Sequence, residues 1–164
     1  MTSCAPTGNG VGIDATGHNN IKVADGTIQG MGNVGIIAGY NCIIEDVRVI
    51  SNGGDGIFIV FEDGTVSGNI AIGNATLGIS VSYDGTVSGN TAIGNGYDGF
   101  FVGGGTVSGN TANYNGSGGY GYGLEFHSGT PAGYLDNVFN ENTSGNVING
   151  INLGHNLCGT VLCP

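Results

Sequence analysis

Apolar and polar side chains alternate over short stretches of this chain. Ile57-Phe58-Ile59, Ile79-Ser80-Val81, Phe100-Phe101-Val102 and Leu124-Glu125-Phe126 each put their first and third residues on one face. A period of two belongs to a strand and not to a helix. Two further sets of short strands follow the same rule. One carries Val66, Val87 and Val107, with Val23 and Ile44 before them; the other centres on Ala71, Ala92 and Ala112, with Ile28 and Val49 before and Phe139 after. Gly-Asn turns separate the strands, so three short strands are predicted per unit of pattern.

The pattern repeats. Gly64-Thr65-Val66-Ser67-Gly68-Asn69 and the residues up to Asn74 return as Gly85 to Asn95 and again, with substitutions, as Gly105 to Asn115, at steps of 21 and 20 residues. A glycine followed by an apolar residue recurs at positions 12, 35, 56, 78, 99, 123 and 150, which counts seven turns of 21 to 27 residues. The longer late steps read as loop insertions near Ser117 to Tyr122 and Ser128 to Gly133. Strands with the same inward position at every step cannot pair as hairpins, which would reverse the order of the pattern; they pair in register with their equivalents one turn later. The expected fold is therefore all-β: a right-handed parallel β-helix, because crossovers between parallel strands are right-handed and the turn is too long for a left-handed hexapeptide helix. Seven turns at about 4.8 Å each make a rod roughly 34 Å long. A single domain is expected over residues 1–164, with a lead-in segment (1–11), helix turns (12–157) and a C-terminal cap (158–164).

Composition agrees with this architecture and narrows the function. Of 164 residues, 36 are Gly and 20 are Asn, both poor in helices and at home in turns, which argues against helical bundles and doubly wound folds. Two basic residues face 12 acidic ones, for a net charge of -10, so no phosphate-tracking surface can be assembled and nucleic acid is not an expected partner. No apolar run reaches membrane-spanning length, so membrane insertion is not expected either. The start Met1-Thr2-Ser3-Cys4 has neither a basic nor an apolar signal region and reads as a mature or truncated chain. Four cysteines without a Cys-x-x-Cys pair fit disulfides better than a metal site. Cys158–Cys163 is the expected bridge, Cys4–Cys42 a second, and an extracellular or periplasmic location follows.

The turns Asp55-Gly56-Ile57, Gly64-Thr65-Val66-Ser67-Gly68-Asn69 and Asn95-Gly96-Tyr97-Asp98-Gly99 resemble those of right-handed parallel β-helix repeat proteins, the pectate-lyase-like superfamily that includes NosD-type periplasmic proteins. The resemblance spans about residues 10 to 157 and implies the fold. It leaves function open, because that scaffold carries lyases, hydrolases, epimerases, adhesins and binding modules. Lyases of the superfamily need a base and calcium, and the sequence offers only Lys22 and Arg48, on different turns. The hydrolases resemble one another in clustered aspartates and a Gly-His-Gly element. Here Gly17-His18-Asn19 and Gly154-His155-Asn156 stand without an adjacent Asp-Asp.

Candidate chemistry is accordingly sparse. Asn52, Asn74, Asn95 and Asn115 share one repeat position, and Asn69, Asn90 and Asn110 another, as expected of hydrogen-bonded amide ladders. Asp63 and Asp84 fall on neighbouring turns, where calcium would relieve their repulsion; two solvated turn residues are the plainer reading, and no cofactor is otherwise expected. Glu125 and His127 alternate outward from one strand and, with Asp14, are the candidates for acid–base catalysis. Outward Phe58 and Phe101, with Tyr83, Tyr97, Tyr120 and Tyr122 at strand ends, form a candidate ligand-binding surface.

The expected function is a secreted, non-catalytic module that binds a polysaccharide, a cell-surface glycan or a protein through this aromatic and acidic face, with self-association through an uncapped N-terminal end. Alternatives are a polysaccharide lyase or glycoside hydrolase of the same superfamily, a fibre subunit, and an ice-binding solenoid built on the outward hydroxyls of Thr65, Ser67, Thr86, Ser88, Thr106 and Ser108.

Overall fold

In a computed structural model, which describes residues 10–130 and 132–163, the chain winds as a parallel β-solenoid. Three inward columns define it. In the first sheet Val23, Ile44, Val66, Val87, Val107, Tyr134 and Asn152 pair in succession. The second runs Ile28, Val49, Ala71, Ala92, Ala112, Phe139 and Cys158. The third runs Ile13, Ile36, Ile57, Ile79, Phe100, Leu124 and Val147, which makes seven rungs. Ile44, Val66, Val87 and Val107 are fully buried, and Val23, on the first described rung, is half-buried against the core. A one-residue slip would turn each column to solvent, so the alternation in the sequence fixes the register.

The glycine that precedes the inward residue in the first six third-sheet strands is there because the rungs approach too closely for a side chain; the seventh has Asn146 in that place, and Gly150-Ile151, expected to mark the seventh turn, falls instead in the first sheet, with Ile151 opposite Gly133. A Cβ on Gly78 would lie 2.6 Å from the Gly99 carbonyl oxygen and 2.8 Å from Asn95 Nδ2.

The structure departs from the expected three separate strands. Ile79–Ser88 and Phe100–Ser108 run continuously from the third sheet into the first, and Lys22–Gln29 and Ile43–Ile50 continuously from the first into the second. At such corners the backbone keeps pairing with the next rung. The register slips between Val102 and Gly104, which absorbs the step of 20 residues there against 21 in the strand before it.

At the C-terminal end, where a cap is expected, one pairing is antiparallel. Leu157–Cys158 and Val161–Leu162 form a small hairpin closed by the Cys158–Cys163 disulfide, with Cα atoms 4.9 Å apart. Cys158 occupies the last inward place of the second column, so the bridge ties the hairpin to the core. The hairpin leaves Ile151, Leu153, Val161 and Leu162 exposed. Cys42 carries a free, buried thiol that donates to the Tyr40 carbonyl oxygen at 3.3 Å; its expected partner Cys4 lies outside the described residues. So does most of the N-terminal segment through which self-association is expected.

Both asparagine columns form continuous ladders, longer than the sequence reading had them. One runs Asn52, Asn74, Asn95, Asn115 and Asn142. The other runs Asn69, Asn90, Asn110, Asn137 and Asn156. Each interior amide is fully used: Asn90 Nδ2 donates to the Val66 carbonyl and to Asn110 Oδ1, while its own Oδ1 accepts from the backbone N–H and Nδ2 of Asn69. Turns that would otherwise bury unpaired peptide groups are satisfied in this way.

Candidate ligand-binding face

The outward positions of the third sheet bring Asp14, Ile37, Phe58, Ser80, Phe101 and Glu125 into one row across six rungs. The phenylalanines are half-buried rather than fully in solvent, a correction to the sequence reading. Ser80, on the rung between them, is only 4% exposed. Rungs about 4.8 Å apart let large side chains lean over a small neighbour, so the strip is a shallow apolar floor and not a set of projecting rings.

The two edges of this strip differ. On the side where strands enter, Tyr97 and Tyr120 stand 45% and 49% exposed, and Tyr122 is half-buried. Tyr120 and Tyr122 meet edge to face with ring centroids 5.6 Å apart, and the Tyr120 hydroxyl donates to Glu125 Oε2 at 3.3 Å. Beneath them Asp98 is buried, with its Oδ1 accepting the Tyr122 N–H at 2.6 Å. Asp55, at the same repeat position two rungs earlier, likewise accepts the Leu77 N–H and the Thr76 hydroxyl. On the side where strands leave, Glu62, Ser82, Tyr83, Asp84, Gly103, His127 and Thr130 line an open depression of about 510 Å³.

Burial pushes Asp98 up to about 6, assisted by the charge of Glu125 and opposed by the Tyr122 N–H. Tyr97, Tyr120, Tyr122 and Glu125 are the titratable groups around it; on the preceding turn Thr76 and Leu77 carry no charge. A carboxylate whose folded value is raised binds more protons folded than unfolded, so its contribution is present below about 4 and lost as pH rises through about 6. Burial raises Asp55 in the same sense. Thermal stability should therefore fall from pH 5 to pH 7.5, by about 1 kcal/mol from Asp98. Asp98→Asn should flatten that part of the profile; an unchanged slope in melts of the variant would contradict the assignment.

Of the candidate catalytic residues, Asp14 is set apart from Glu125 and His127. Glu125 belongs to the tyrosine corner, and His127 lies past the end of its strand at the depression. Asp14 sits five rungs from Glu125, roughly 24 Å along the axis, where Thr16 N–H and hydroxyl bond its carboxylate and hold it below the usual range. Asp63 and Asp84 remain neighbours, linked by Asp63 N–H to the Asp84 carbonyl at 2.9 Å, and both are exposed. The next rung offers Gly104 opposite Asp84, and among the described residues no three acidic, histidine or cysteine side chains gather to hold a metal. Two carboxylates fall well short of the roughly six to eight oxygens that Ca²⁺ takes. Lys22 pairs with Glu45 at 2.6 Å, and Arg48 points outward from the second sheet, far from the strip. The hydroxyl array is real but short: Thr65, Thr86 and Thr106 pair in register, flanked by Ile43 and Gly133.

The family model for the right-handed beta helix region matches residues 9–160. The chain belongs to this right-handed beta helix family. Comparisons with curated proteins and with solved structures found no match. Two features of this beta helix escaped the sequence reading. An Asp before Gly-apolar, at 55 and 98, is a carboxylate that caps the next rung's N–H. Tyr40 and Phe61 stack face to face at 4.3 Å on a step of 21 residues, which the repeat length alone would have revealed.

Proposed function

We propose that this protein is a secreted binding module that presents the outward face of its third sheet to carbohydrate or to a protein surface. The observation that carries this reading is the concentration of exposed rings, Tyr83, Tyr97 and Tyr120 with Tyr122, around the Phe58–Ser80–Phe101 strip on a rigid sheet. Rings held by a stiff scaffold lose little entropy on binding, and their faces suit the C–H faces of sugars. The carboxylates Glu62, Asp84 and Glu125 at the margins accept hydroxyl or amide donors. The Cys158–Cys163 disulfide supports a location in an oxidising compartment.

A glycan array with the wild-type protein should give specific binding, and the double variant Tyr97→Ala/Tyr120→Ala should lose at least about tenfold in affinity. Tyr114→Ala, at a ring 55% exposed after the second-sheet strand Thr111–Asn113, should have no effect. Equal losses at both sites, or none at the corner, would remove the face from consideration.

A further inference from the structure

The tyrosine corner narrows the ligand class. Resting on the reading above, we propose that Tyr97, Tyr120, Tyr122 and Glu125 form a subsite for neutral, hydroxyl-rich sugar rings, and that it turns uronate rings away.

The aromatic part fits a pyranose. Tyr120 and Tyr122 meet at 86°, so two rings bound a corner, with Tyr97 from the preceding rung beside them. A sugar ring set against such a corner covers its C–H face and leaves its hydroxyls pointing outward. The polar part selects by charge. Glu125 Oε2 accepts the Tyr120 hydroxyl, and among the described residues Oε1 has no hydrogen-bond partner, so it can accept a ligand hydroxyl. A carboxylate acceptor next to a phenol suits a ligand that arrives with O–H donors.

A uronate meets a different environment. Its carboxylate would approach Glu125, with Asp98 buried directly beneath; His127, two residues on, is neutral at pH 7, and no lysine or arginine offsets the repulsion. The whole chain has two such residues. Lys22 is on the first rung of another sheet and already paired with Glu45, about four rungs or 19 Å from the corner along the axis. Arg48 is about three rungs away on the second sheet. Both separations exceed the screening length of about 8 Å at physiological salt. Rejection of an acidic ring is thus built in by like charge, while a neutral ring of the same shape pays nothing for it.

Isothermal titration with cellohexaose, mannohexaose, xylohexaose and hexagalacturonate at low salt tests this. At least one neutral hexasaccharide should bind about tenfold or more tighter than hexagalacturonate, with the gap narrowing as salt is raised. Glu125→Gln keeps an acceptor oxygen and removes the charge, so it should raise hexagalacturonate affinity towards that of the neutral sugar. Hexagalacturonate binding as tight as the best neutral sugar, and lost in Tyr97→Ala/Tyr120→Ala, would overturn the selectivity while leaving the face a binding surface. Sugar binding indifferent to the tyrosine substitutions would overturn the face itself. No binding of any neutral hexasaccharide would end the neutral-ring assignment.

Discussion

Val87→Asp should leave the chain unfolded or nearly so, and Ser88→Ala, one residue further, should change stability by less than about 0.5 kcal/mol. Val87 is fully buried between Val66 and Val107, in a core made of three inward columns, so a carboxylate placed there has neither water nor a counter-charge. Even if it protonates, the cost is about 4 kcal/mol or more, comparable to the whole stability of a small domain. Ser88 points outward on the same strand and is half-exposed. Denaturant melts that gave similar shifts for the pair would contradict the assigned faces of the first sheet.

The second large effect is expected in the amide ladders. Asn90→Ala would leave the Asn69 backbone N–H without its acceptor, leave Asn69 Nδ2 with the Ile44 carbonyl alone, and remove the bonds to the Val66 carbonyl and to Asn110. Buried polar groups left unpaired cost about 1 to 3 kcal/mol each, and partial relaxation brings the sum to about 3 kcal/mol. Asn113 provides the contrast. It stands outward opposite Ile93 and Asn140, and its buried Oδ1 has no partner among the described residues. Asn113→Ile would extend the outward column of Ile50, Ile72 and Ile93 and should be neutral or stabilising. If calorimetry showed Asn90→Ala to be as mild as an ordinary surface change, the ladder would be decoration and not structure.

What was legible in the sequence was whatever recurs at the rung period. The inward columns of Val66, Val87 and Val107 and of Ala71, Ala92 and Ala112 followed from phase alone, because a residue's neighbours in space are its equivalents one turn away. The same logic placed Asn74 and Asn95, but stopped at Asn115, because the insertions after it shift the spacing to 27 residues before Asn142 resumes the ladder. The corners were not legible. Whether Ser82-Tyr83-Asp84 is a loop or continuous strand depends on pairing with Gly103–Gly105, which alternation does not encode.

For the candidate face, the sequence supplied the rings but not their depth. Phe58 and Phe101 alternate outward like any exposed pair, and only the rung spacing sinks them beside Ser80. Asp98 was hidden for the opposite reason. Turn aspartates are ordinarily solvated, but here the following rung lays the Tyr122 N–H on Asp98 as it lays the Leu77 N–H on Asp55, a contact between rungs that the turn sequence alone does not encode. That His127 lies just past the strand depends on where the strand ends, at Phe126, a boundary the period-two pattern leaves undefined.

In both ladders every amide-to-amide bond runs the same way, from Nδ2 on the lower-numbered rung to Oδ1 on the higher, so all the side-chain carbonyls point to the lower rung. Backbone bonds between parallel strands run alternately up and down and largely cancel, but these do not. The solenoid therefore has an electrical axis: two files of aligned dipoles, with carbonyl oxygens leading at the Met31 and Val47 end and amide hydrogens at the other. Aligned dipoles polarise one another, so a bond in mid-file is stronger than one at a terminus. Severing a file at Asn90 or Asn95 divides one long array into two weak ones, whereas loss of Asn156 merely shortens it by a rung.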